Sequence, residues 1–187
     1  MRKDDNLPQA RLTVLARTED YKEMSLSMPA QNPKHAISVH VISTEKLISD
    51  CLAFCLNDTK RFMASSVNIP IRAQLVQDHP NQSRITFPKG DIFILRGKIH
   101  RGSCLLQIAS EIMRLQKSAK IILIAEEITS ALVEFALEFG AHGVVDETIN
   151  VARLANIVEF VFHGEIYVPA EYVVEQVRNS IGTIYTR

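Results

Sequence analysis

The chain has no tryptophan, and aromatic residues are only 6% of its 187 positions. A platform of stacked aromatics for bases is therefore not expected. It has no excess of either charge: 21 Lys and Arg balance 21 Asp and Glu. Bulk charge alone does not hold such a chain to nucleic acid. Three cysteines, Cys51, Cys55 and Cys104, are too few for a disulfide framework and fit a reducing compartment. The longest strongly apolar strip, Ile121 to Ala125, is far shorter than a bilayer requires. The N-terminus lacks an apolar h-region and carries acids early, unlike a secretory signal. These absences lead to the expectation of a soluble, cytoplasmic, non-membrane protein.

What is present is ordinary globular composition, 47% apolar and 22% charged. Residues 1–35 stand apart. Eleven are charged, the signs are mixed, and Pro8, Pro29 and Pro33 interrupt any long element. This stretch reads as a mobile arm.

From residue 36 a rhythm sets in. The run Ile37 to Ile42 is short, apolar and β-branched, and Glu45 to Asn57 follows with Ile48, Cys51, Leu52 and Cys55 on one helical stripe. Phe62 to Val67 is a weaker strand and Ile71 to Gln77 a short helix. Asp91 to Leu95 is a buried-type strand. Ser103 then suits the N-cap of a helix to Gln116, with Leu105, Ile108, Ile112 and Leu115 on one face. Lys120 to Ala125 is the most hydrophobic strand. Thr129 to Phe139 reads as a helix stopped by Gly140, Gly143 to Val145 as a strand, and Val151 to His163 as a last helix before Gly164. Continuous apolar strands alternating with amphipathic helices require a parallel sheet covered on both faces. Right-handed crossovers then make a doubly wound α/β sandwich of about five strands.

Two runs carry a family likeness. Ala136–Leu137–Glu138–Phe139–Gly140–Ala141–His142–Gly143 and, after the last helix, His163–Gly164–Glu165–Ile166–Tyr167–Val168–Pro169 stand in the right order and spacing. With the strand–helix rhythm, they make roughly residues 36–175 resemble a bacterial response-regulator receiver domain of the NarL/LuxR branch, with residues 36–168 as the receiver-like domain. The resemblance implies a flavodoxin-like, receiver-type sheet of strand order 2-1-3-4-5. Residues 58–90 match it poorly. Residues 169–187 read as a linker or helix, too short for a complete DNA-binding domain, so no direct nucleic-acid binding is expected of this chain.

The resemblance also implies a phosphorylation chemistry that the residues lack. The family places a nucleophilic Asp at the end of the third strand; here Arg96 stands there, and no Asp or Glu occurs between Ile92 and Ser110. Asp91 lies five residues earlier, roughly 16 Å away along a strand. The acidic pair after the first strand is replaced by Ser43 and Thr44, with Glu45 the only acid nearby, which leaves poor Mg²⁺ ligation. Ala125 holds the hydroxyl position of the fourth strand. Asp146 or Glu147 holds the lysine position of the fifth, and Val144 replaces a common aromatic. The charges are inverted, so Arg96 is expected to pair with Asp146 or Glu147, and with Glu45 or Glu126 within reach.

Other candidates are weaker. Cys51 and Cys55 share a helical face but lack further metal ligands and read as core. His40, His142 and His163 have no catalytic spacing. No phosphate-binding glycine loop, nucleophile or acid–base pair is found, so neither an enzyme, a cofactor nor a metal site is expected. In the two last helices, Val133, Leu137, Ile157 and Phe160 form apolar stripes additional to the core faces. Such surplus suggests a protein interface, with a homodimer through these helices. The expected function is a phosphorylation-independent pseudo-receiver, a signalling and dimerisation module related to two-component transcription regulators. The alternative is the N-terminal regulatory part of a NarL/LuxR-type regulator whose helix-turn-helix domain is missing from this chain.

Overall fold

The computed structural model describes residues 36–67, 87–170 and 172. The expected arm over 1–35, the short helix over 71–77 and most of the tail lie outside them. Five strands form one sheet: β1 (Ile37–Ser43), β2 (Phe62–Val67), β3 (Ile92–Gly97), β4 (Lys120–Ala125) and β5 (Gly143–Asp146). Every pairing is parallel and the order is β2-β1-β3-β4-β5. Four helices are described: α1 (Lys46–Asp58), α2 (Cys104–Leu115), α3 (Ser130–Phe139) and α4 (Val151–Phe162). The architecture is the doubly wound sandwich that the rhythm implied, with the flavodoxin-like strand order that the resemblance implied.

Alternation along the strands builds two cores. Ile92, Ile94, Ile122 and Ile124 face one side, where α1 and α4 lie; Phe93, Leu95, Ile121 and Leu123 face the other, against α2 and α3. The central strands β3 and β4 bury both faces, which is why they read as continuous apolar runs. Gly140 ends α3 at φ 95°, a left-handed turn that a side chain would strain. Gly90 is required by a close approach instead. A Cβ there would lie 2.3 Å from the ring of His40. That ring is held by the Lys89 carbonyl at 2.9 Å and the Ser65 hydroxyl at 2.8 Å, so it cannot step aside. The carbonyl can only accept, which puts a proton on Nε2 of His40.

The helix faces differ from the sequence reading in three places. In α1 the buried residues are Ser49, Ala53 and Leu56, and Cys51 is exposed while Cys55 is half-buried. Small side chains let this helix lie close to the sheet, and Ser49 satisfies its hydroxyl on the Lys46 carbonyl at 2.8 Å. In α3, Val133 and Ala136 form the core contact, and Phe135, Leu137 and Phe139 lie at its margins. In α4, Ile157 and Phe160 are 1% and 6% exposed, inside the same core as Leu154 and Val158.

The last two findings correct the expected interface. Val133, Ile157 and Phe160 are not surplus surface but interior, and only Leu137 remains half-buried at a margin. The reason is the position of α4. It packs on the sheet and also against α1, so it buries more than one stripe. Arg61, just before β2, reinforces this contact with hydrogen bonds to Glu159 at 2.6 Å and to Asn156 at 3.2 Å. Phe160→Glu is therefore expected to unfold the chain rather than dissociate a dimer. A buried carboxylate and a lost ring together cost more than about 3 kcal/mol. Urea denaturation followed by circular dichroism checks this; a folded, merely dissociated variant would show Phe160 at an interface.

Candidate functional site

The carboxyl ends of the strands form one edge, and the chain-reversing loops collect there. β3 aligns Arg96 with Ser43 of β1 and Ile124 of β4. Arg96 follows the alternation of Ile92 and Ile94, and its side chain is 16% exposed. Nη2 lies 3.0 Å from Glu147 Oε2, and Nη1 lies 3.4 Å from Glu45 Oε1. The guanidinium thus joins the β1–α1 loop to the β5–α4 loop across the end of β3. Its planar fork can serve two carboxylates from different directions, which a lysine ammonium does less rigidly.

Backbone and small side chains position the two carboxylates. Ser43 is buried, and its Oγ accepts from the Glu45 N–H at 3.1 Å. The residue in place of an expected acid thus shapes the loop that presents Glu45. The Glu147 N–H donates to the Ala125 carbonyl at 3.1 Å, which ties the second carboxylate to the end of β4. Ala125 itself is 1% exposed and offers a methyl where a hydroxyl was sought. Thr44 is exposed beside Gly97.

Asp146, expected as a partner of Arg96, is used differently. Its carboxylate accepts from the Thr148 N–H at 2.8 Å and from the Thr148 hydroxyl. The hydroxyl first, then the N–H, holds this carboxyl below the usual range. Glu126 pairs instead with Lys98 at 3.9 Å, a loose and exposed contact. Asp91 lies at the opposite edge, accepting from the Ser38 N–H at 2.9 Å.

The edge therefore contains a cation flanked by two carboxylates, where phosphoryl transfer to a carboxylate needs a nucleophilic acid and a divalent cation. Among the described residues, no group of three or more His, Cys, Asp or Glu side chains is placed to share a metal ion. Among the same residues, no helix is long and apolar enough to cross a membrane.

Sequence reasoning did not anticipate the environment of His142. Its ring Nδ1 accepts from the Ile121 N–H at 3.3 Å, so the proton of the neutral ring is on Nε2. Burial, and then the charge of Lys120, pull its pKa from 6.5 down to about 4. Its carbonyl accepts from the Tyr167 N–H at 3.0 Å, and the Val144 N–H donates to the Tyr167 carbonyl at 3.0 Å. The chain after α4 thus pairs with the β5 edge. Tyr167 and Val168 are buried, and the Tyr172 hydroxyl donates to the Ile128 carbonyl at 2.9 Å.

An all-parallel sheet of order 2-1-3-4-5 with helices on both sides is the flavodoxin-like arrangement, which response-regulator receiver domains share. Solved structures carry the same arrangement. A two-component response regulator of the LuxR family from Aurantimonas sp. SI85-9A1 superposes with a TM-score of 0.59 at 13% identity, over 79% of this chain and 99% of that chain. A LuxR family DNA-binding response regulator from Silicibacter pomeroyi gives 0.54 at 20% identity, over 73% and 99%. A putative pilus assembly-related protein from Burkholderia pseudomallei K96243 gives 0.53 at 17%, over 70% and 92%. At these identities the likeness establishes the fold. No protein-family model matches the chain, and no curated protein matches it.

Two outcomes follow from this geometry. In a double-mutant cycle by urea denaturation, Arg96 and Glu147 are expected to couple by about 0.5–1 kcal/mol, because both are partly shielded. Arg96 and Glu45, farther apart and with the glutamate 58% exposed, should couple less than about 0.5 kcal/mol and lose it in salt. Second, His142 binds its proton more weakly folded than unfolded. Stability is unaffected above pH 6.5 and falls as the pH drops from 6.5 towards 4, because only the unfolded chain takes up the proton there. The decline contributed by this residue should vanish in His142→Asn, measured as urea midpoints between pH 7 and 4.

Proposed function

We propose that the chain is a phosphorylation-independent pseudo-receiver, a signalling and protein-interaction module related to two-component transcription regulators. The single observation that carries this reading is Arg96 at the carboxyl end of β3, engaged by Glu45 and Glu147. Asp chemistry at this edge requires an acid on that strand end, and the nearest candidate, Asp91, lies at the other edge. The replacement is also electrostatically closed. A permanent ion pair takes the place of a carboxylate whose charge changes on modification, so the edge stays in one state without a phosphoryl donor. The receiver fold of its structural neighbours supports the signalling part of the reading. The partners are proteins. A homodimer through α3 and α4 is not part of the proposal, since Val133, Ile157 and Phe160 lie in the core.

Intact-mass measurement after incubation with acetyl phosphate and Mg²⁺ tests the reading. The expected result is the unmodified mass. An acid adduct of about 80 Da, one phosphoryl group, that is lost on hydroxylamine treatment would overturn it.

A second reading is favoured by the two LuxR family neighbours: the N-terminal regulatory part of a NarL/LuxR-type DNA-binding regulator. Immunoblotting of the source cells distinguishes the two. A band at the 21.0 kDa of this chain supports a free-standing module, and a substantially larger one supports the regulator.

A further inference from the structure

β1 and β3 are neighbours in the sheet, yet the chain leaves them in opposite directions. α1 follows β1 to one face, and α2 follows β3 to the other. Loops that part in this way open a crevice at the carboxyl edge, and ligands of open α/β sheets bind at such a switch point. Here the crevice measures about 560 Å³ and is lined by Thr44 and Glu45 on one side, Lys98, His100 and Ser103 on another, and Glu126 from the loop after β4. That is the size of a small-molecule site.

We propose that this cleft binds a small organic anion, with its phosphate or carboxylate group seated at the N-terminus of α2 against Ser103 and Lys98. Two independent features support this. The first is the helix end: the Ser103 and Leu106 N–H groups are engaged by the His100 and Ser103 carbonyls, which leaves those of Cys104 and Leu105, at the positive end of a 12-residue helix dipole, to face a ligand. The second is Ser103, which lines the cleft and is 5% exposed, with its hydroxyl enclosed and without a hydrogen-bond partner. It does not cap its own helix. An enclosed hydroxyl without an acceptor is costly, and an anion at the helix end supplies that acceptor. Lys98 adds an exposed ammonium from the same loop.

The acids in the cleft bear on the same question. Glu45 lies 3.4 Å from the Arg96 guanidinium, which offsets part of its charge. Glu126 is the competitor, because it lies 3.9 Å from the Lys98 ammonium that the anion would take. Anion binding therefore exchanges Glu126 for the anionic group of the ligand as the partner of Lys98. This input is non-covalent, and it is separate from the question of phosphorylation. A cleft that binds nothing leaves the pseudo-receiver reading as it stands.

The experiment is an amide-resolved NMR titration of the full chain with sodium phosphate and, separately, sodium acetate, each against sodium chloride of equal ionic strength. Saturable shifts at Gly102, Cys104 and Leu105 are expected with at least one of the two anions, and the comparison assigns the head group. Lys98→Glu and Ser103→Ala should each weaken binding about fivefold or more. Glu126→Gln should tighten it about two- to fivefold by removing the competitor. Lys98 and Glu126 are on the surface, so these two variants keep the test intact if Ser103→Ala fails to fold. Shifts that stay linear with both anions, that chloride reproduces, or that all three substitutions leave unchanged would overturn the proposal.

Discussion

An all-parallel sheet cannot leave either face to water. Each of its strands needs a long return connection, and the helices in those connections must cover the sheet. Everything else in this structure follows from that constraint. It sets two cores on either side of β3 and β4, sends α1 and α2 to opposite faces, and collects the strand-to-helix loops at one edge. The ion cluster and the cleft occupy that edge because only there do loops from β1, β3, β4 and β5 come together.

At that edge, the charge arrangement is an inversion of the one that the fold's phosphorylatable members need. Arg96 is on the central strand and its carboxylates are on the flanking loops. The consequence is a difference in what can change. A carboxylate that accepts a phosphoryl group changes its charge; a guanidinium keeps its charge at all working pH values. On the proposed reading, control of such an edge comes from contacts that form and break rather than from a covalent charge change. Lys98 and Glu126, loosely paired beside the Arg96 cluster, are the side chains with the freedom for it.

The lateral edge of the sheet at β5 is also covered. Tyr167 pairs with β5 through its backbone, Val168 enters the core, and Tyr172 reaches the loop after β4. A segment read as the exit from the last helix thus finishes the fold by covering an edge strand that would otherwise offer unpaired groups. His142 lies where this segment, β4 and Lys120 meet, which is why its ring stays neutral.

The sequence by itself determined the strand–helix rhythm, the extent of β2 and β4, the stop at Gly140 and the absence of an acid at the end of β3. Those depend on local patterns: continuous apolar runs, capping residues and residue identity at a strand end. The family resemblance also brought Arg96 and Asp146 or Glu147 into one hypothesis, because it assigns the ends of the third and fifth strands to one site and the charges there are inverted. The tertiary structure alone decided which side of each helix is interior. Ser49, Ala53 and Leu56, not Cys51, face inward in α1, and Val133, Ile157 and Phe160 are core where the pattern suggested surface. A helix that meets both a sheet and another helix buries a wider arc than a single periodic stripe reveals. The choice of Glu147 over Asp146, the enclosed Ser103 hydroxyl and the burial of His142 have the same origin. Each depends on which loop approaches which strand end, and that distance is set by packing between residues far apart in the chain.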